Sequence, residues 1–204
     1  MTIQSLPPLK DKIKPIMDLY YKGHFLEALD SIEALKFFYP NEPLIFNICG
    51  VFYARLEKLD EAITSYEKAI YILPNYADAH NNLGNALRRV GKLDAAIYSL
   101  EKALTLKSNY PDAYYNLGST FRALSQFDDA VKNYKKVITI MPEHYEAHFF
   151  LGTSFLKLRQ LDLAINHFKK ALSIKPDYVE AHSNLGYIFK KLGQHDNAIK
   201  HYKE

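Results

Sequence analysis

Every glycine in the chain falls on one of two slots of a 34-residue period: Gly50, Gly84, Gly118, Gly152 and Gly186 on the first, Gly23, Gly91 and Gly193 on the second. A fixed period of this length marks a stacked solenoid, in which no repeat can bury its apolar face alone and each lays it against a neighbour. Length by itself, 204 residues, would allow one or two globular domains. The period replaces that expectation with one core drawn out along an axis, with contacts confined to adjacent units.

With the first glycine slot set as position 8, the chain divides into units 9–42, 43–76, 77–110, 111–144 and 145–178, then a partial unit 179–204, after an N-terminal extension of 1–8. Position 20 is then alanine throughout, at Ala28, Ala62, Ala96, Ala130, Ala164 and Ala198. Position 24 is a large apolar or aromatic residue: Ile32, Tyr66, Leu100, Tyr134, Phe168 and Tyr202. Apolar residues recur at helical spacing on both sides of a break at positions 15 to 17, which predicts an antiparallel helix pair, A then B, in each unit. Small residues at 8 and 20 let A and B approach, and the large residue at 24 fills the space beside them. Position 18 carries Asp60, Asp94, Asp128, Asp162 and Asp196, which favours the positive end of helix B. Pro40, Pro74, Pro142 and Pro176 at position 32 stop helix B. Ser108 stands in that slot in the third unit, and Pro111 opens the next helix instead. Pro15 falls inside the first helix A, which is expected to be short or kinked, a divergent cap.

These registered positions, together with Asn-Leu-Gly at 82–84, 116–118 and 184–186, resemble the tetratricopeptide repeat over essentially the whole chain. The resemblance implies an all-α, right-handed superhelical solenoid whose A helices line a concave face through positions 2, 5, 6, 9, 12 and 13. The candidate groove is then Asn81, Asn82, Asn85 and Arg88 in one unit and Tyr115, Asn116, Ser119 and Arg122 in the next. It continues through Phe149, Phe150 and Thr153 to Asn184 and Tyr187. Asparagine is a poor residue inside a helix, so its recurrence calls for a role: amides that hold an extended backbone, or amides that bond between neighbouring helices. Asp78, Asp112, Glu146 and Glu180 form an acidic row, and Arg88, Arg89, Arg122, Lys157, Lys190 and Lys191 a basic one. Both rows equally fit solvated helix ends.

A similar asparagine ladder occurs in O-linked N-acetylglucosamine transferase and in bacterial repeat arrays ahead of transferase or oxygenase domains. Only Asn82, Asn116 and Asn184 carry over, and Ile48 and Phe150 interrupt the row. The basic residues that clamp a chaperone's C-terminal carboxylate are replaced here by Asn, Asp and Glu. The expected function is a non-catalytic scaffold holding an extended peptide or partner segment in the groove; the alternative is the substrate-recognition module of a larger transferase.

No enzyme chemistry is expected. The glycines are absorbed by packing and turns, and Cys49, the single cysteine, sits at a core position. His80, His148 and His182 occupy the packing slot 4, and His144 with His148 lacks further metal ligands. No cofactor and no metal are expected. A net charge of +3 and the acidic row argue against nucleic acid, although an RNA-binding solenoid is a third reading. No stretch approaches membrane-spanning length, Met1 to Lys12 has no apolar run of signal-peptide type, and a cytoplasmic protein is expected. Ile199 and Tyr202 are expected on an uncovered apolar face, which implies further chain beyond it or end-to-end self-association.

Overall fold

The computed structural model describes residues 8–204; of the extension 1–8, residues 1–7 lie outside the described part. Twelve helices and no strands are found among the described residues. The chain forms two compact units, the first ending at Leu106 and the second spanning Lys107–Glu204. The first holds α1 (Leu9–Tyr21), α2 (Phe25–Phe38), α3 (Pro43–Arg55), α4 (Leu59–Ile72), α5 (Ala77–Arg89) and α6 (Leu93–Leu106). The second holds α7 (Pro111–Ala123), α8 (Phe127–Ile140), α9 (Tyr145–Lys157), α10 (Leu161–Ile174), α11 (Val179–Lys191) and α12 (His195–Lys203). Odd-numbered helices are A helices and even-numbered ones are B helices. Within each unit, A packs on its own B and B on the following A.

The hairpin turn is the same in every repeat, and its chemistry follows from the end of helix A. Position 15 adopts a left-handed backbone, with φ of 85° at Gly23, 60° at Glu57, 79° at Gly91, 60° at Ser125, 59° at Arg159 and 73° at Gly193. The N–H of the next residue then reaches back to the carbonyl of position 11, as in Lys58 to Tyr53 (2.9 Å) and Gln160 to Phe155 (2.9 Å). That bond satisfies a carbonyl that the ending helix would otherwise orphan. Glycine reaches this conformation freely, whereas Glu57, Ser125 and Arg159 hold it at a cost. The B helices from α4 to α12 each carry an aspartate in the first turn, from Asp60 to Asp196, and α2 carries Glu27 instead.

The close approach of A to B decides the glycine at position 8. A Cβ built on Gly152 would lie 2.7 Å from Cε1 of Phe168, and one on Gly186 would lie 2.5 Å from Cε1 of Tyr202. Position 24 is buried from Ile32 to Phe168, and Ala28, Ala62, Ala96, Ala130 and Ala164 have no exposed surface. Bulk on the B side therefore requires its absence on the A side.

The first repeat departs from expectation. Helix α1 is not short: it runs thirteen residues and continues past Pro15. Pro15 faces solvent, so water can satisfy the carbonyl that proline leaves without a donor. Ile16, at the slot of the missing glycine, is buried with Ala28, Leu29 and Ile32.

A candidate partner-binding surface

In the first unit the asparagines face each other across adjacent A helices. Asn82 on α5 donates through Nδ2 to Oδ1 of Asn47 on α3 at 3.1 Å, and Asn47 Nδ2 reaches the Tyr76 hydroxyl at 3.5 Å. Asn81 donates to Asn82 Oδ1 at 3.4 Å and is itself buried. The amides thus form a chain between repeats, because position 6 of one A helix meets position 5 of the preceding one. Asn47 was absent from the sequence-based set, although its spacing of one period from Asn81 pointed to it. Arg88 donates to Asn85 Oδ1 at 2.9 Å. Arg89 donates to the carbonyl of Ala54 at the end of α3 (3.1 Å) and pairs with Glu57.

In the second unit aromatic rings take over this mortar. Phe150 stacks on Tyr134 with centroids 5.7 Å apart, and Tyr115 meets both rings edge-on at 5.9 Å. The Tyr134 hydroxyl lies 2.9 Å from Oγ of Ser119, and the Arg122 guanidinium lies 4.7 Å from the Phe150 centroid. Burial pushes the Tyr115 phenol well above its ordinary range. Asn116 is half-buried on α7. Phe149 packs against Tyr178 and Phe168. Ser119 and Phe149, like Asn81, are buried and present little surface to a partner.

Beyond this mortar the surface opens. Between α9, the start of α10 and α11 lies a cleft of about 700 Å³. Its apolar walls are Leu156, Leu161 and Ile188, and Thr153, Asn184 and Tyr187 add polar edges. Tyr187 is 48% exposed. Thr153 donates to the Phe150 carbonyl at 2.9 Å, and Asn184 Nδ2 to the Glu180 carbonyl at 2.7 Å, which leaves the amide oxygen of Asn184 available. Lys157, Arg159 and Lys191 complete the lining. Arg159 was missed because it belongs to the break between helices, where a charged side chain gives no periodic signal.

The histidines at the packing slot and their neighbours are fastened, not free. His80, His148 and His182 each place Nε2 2.9 Å from a proline carbonyl six residues back, at Pro74, Pro142 and Pro176. A carbonyl only accepts, so Nε2 carries the proton and the Nδ1 of the neutral ring accepts. His167 and His201 supply the matching donors, Nδ1 to Nδ1, at 3.2 Å from His148 and 3.1 Å from His182. Burial pulls His148, His167 and His201 below the ordinary histidine value, His167 to about 4. His144 is spent elsewhere, capping α9 by accepting from Ala147 N–H at 3.2 Å. Burial pushes the Cys49 thiol up to about 12. No described helix is long and apolar enough to cross a membrane. Ile199 and Tyr202 on α12 are 51% and 54% exposed.

Comparison with known proteins agrees with this geometry. A TPR repeat model matches residues 50–91, 84–122 and 152–193, and a tetratricopeptide repeat model matches 111–144. No curated protein sequence matches significantly. Among solved structures, PilW, a widely conserved type IV pilus biogenesis factor, is similar with a TM-score of 0.88 at 24% identity, over 97% of this chain and 91% of that one. MamA gives 0.71 at 28% identity, over 76% of this chain and 90% of its own. YrrB, a TPR protein with an unusual peptide-binding site, gives 0.70 at 20% identity, over 83% and 88%. With the repeat models covering more than half of its length and the same hairpin recurring along it, the chain belongs to the tetratricopeptide-repeat family.

Proposed function

We propose that the chain is a non-catalytic protein-interaction scaffold and that the cleft between α9 and α11 holds an extended partner segment. The observation that carries this reading is the half-exposed Tyr187 lining one opening with Leu156 and Ile188, an opening large enough for one or two side chains. The peptide-binding site of YrrB, on a similar fold, agrees with such a role. Of the groove predicted from sequence, Thr153, Asn184 and Tyr187 lie in this opening, while Asn81, Ser119 and Phe149 serve packing. A cytoplasmic setting belongs to the same reading, as does self-association through the apolar face of Ile199 and Tyr202.

The test is affinity capture from native lysate with the full chain and with Tyr187→Ala, followed by calorimetry on the captured partner. Truncating an interface tyrosine should weaken binding by about 2 kcal/mol, roughly thirtyfold. Unchanged affinity would move the binding surface away from this cleft.

A further inference from the structure

Two places in the molecule use the same pair of repeat slots with opposite charge logic. In the first unit, position 15 of the second repeat is Glu57 and position 13 of the third is Arg89, and the two pair. The opening around them, which also touches Tyr20 and Val51, measures about 370 Å³. In the second unit the same two slots, three repeats later, are Arg159 and Lys191. Both are cations, and both line the cleft of about 700 Å³. Lys157, one slot 13 earlier, adds a third positive charge, and no aspartate or glutamate lines the cleft. Among the described residues, none of these three cations has a carboxylate partner; Lys191 lies 5.7 Å from the Tyr187 ring centroid.

We infer that the segment bound in this cleft is acidic, and that a carboxylate of the partner takes the place between Arg159 and Lys191 that Glu57 fills beside Arg89. This rests on the cleft being the binding site. Like charges lining one opening raise its positive potential, which a counter-charge entering it relieves. A carboxylate seated there gains from both cations, each exposed, so the gain is one that salt screens. Leu156 and Leu161 beside them, with Ile188 behind, take a large apolar side chain, and Tyr187 lines the same opening. The recognised feature is therefore an Asp or Glu adjacent to a Leu, Ile, Met or aromatic residue in an extended segment.

The chain itself supplies the diagnostic substitution. Arg159→Glu installs at position 15 the residue that Glu57 already carries with the same left-handed backbone, so the fold tolerates it, and it gives Lys191 an internal partner. A random dodecapeptide display library is selected on the full chain, and the recovered peptides are measured by fluorescence anisotropy against the chain, Arg159→Glu and Tyr187→Ala. Acidic-apolar peptides should be enriched, lose about tenfold in affinity on Arg159→Glu, and weaken as salt rises. Peptides that depend on Tyr187 but show no acidic enrichment, and that bind Arg159→Glu equally well, would overturn the inference and leave the binding site standing. Recovery of no Tyr187-dependent peptide would overturn both. Displacement of the peptides by an oligouridine strand that binds more tightly through the same residues would also overturn it, since the cations would then serve a phosphate backbone.

Discussion

Gly152→Ala isolates the packing rule on which the repeat is built. Inside a helix, alanine is normally the better residue by about 1 kcal/mol, so a glycine retained only by drift would leave room for a stabilising change. The added Cβ would lie 2.7, 2.8 and 3.0 Å from three ring atoms of Phe168, against ordinary contacts near 3.7 Å. Relief requires the ring to move by roughly 1 Å. Phe168 has no exposed surface and meets Phe149 at 5.7 Å, so the shift propagates into the seam between α9, α10 and α11. Overpacking of this kind costs about 1–3 kcal/mol, and the upper end applies where the ring is enclosed. Set against the propensity gain, Gly152→Ala should destabilise by about 1–2 kcal/mol. At Gly118 the nearest atoms are 3.0, 3.1 and 3.2 Å away, so Gly118→Ala should cost less. Urea titration followed by circular dichroism gives the totals, and native-state hydrogen exchange places the loss at α9 and α10. A Gly152→Ala protein as stable as the parent, or more so, would refute the claim that A and B touch at this slot.

Other consequences follow from named contacts. Asn82→Ala should lower stability by about 1–2 kcal/mol, because it leaves Oδ1 of the buried Asn47 without its donor; differential scanning calorimetry reads the shift. Acid should weaken the second unit selectively. His167 is held neutral by burial, with His148 and Lys135 opposing its charge, and its folded value near 4 lies below the ordinary 6.5. Its contribution is therefore complete above 6.5 and is lost as pH falls from there toward 4. His167→Ser, which copies Ser65 and Ser99 at the same slot, should flatten that dependence in denaturation series across this range.

Much of the scaffold was legible because it is written in residue size at fixed spacing. Gly84, Ala96 and Leu100 state the close approach of A and B without any structure. The left-handed turn was legible at Gly23, Gly91 and Gly193 and hidden at Glu57, Ser125 and Arg159, since nothing in those side chains announces a positive φ. The asparagines were read as a straight row because equal slots look aligned in a repeat register. Side chains on adjacent inclined helices meet one slot out of step, so Asn82 finds Asn47, and a site drawn along equal slots mixes surface with mortar. The paired histidines escaped for a related reason: position 4 names the ring on A, but only the packing shows that position 23 on B lies opposite. That α1 continues past Pro15 instead of stopping short was hidden because sequence does not show that Pro15 faces water.

The turn slot also separates a structural role from a binding one. A non-glycine residue in the left-handed region costs about 1 kcal/mol, and three of the six repeats carry that cost. At Glu57 the exposed pair with Arg89 offsets part of it. Ser125 is exposed and has no comparable ion pair, so Ser125→Gly should raise stability by about 1 kcal/mol and leave binding unchanged. Arg159 shares the strain and lacks an internal carboxylate, so Arg159→Gly should raise stability by a similar amount but weaken acidic peptides by several-fold. Thermal denaturation and anisotropy on this pair of variants place the two effects side by side. Equal stabilisation with binding lost only at Arg159 means that the strained arginine is held for the partner. Binding retained in both would make position 15 a turn residue and nothing more.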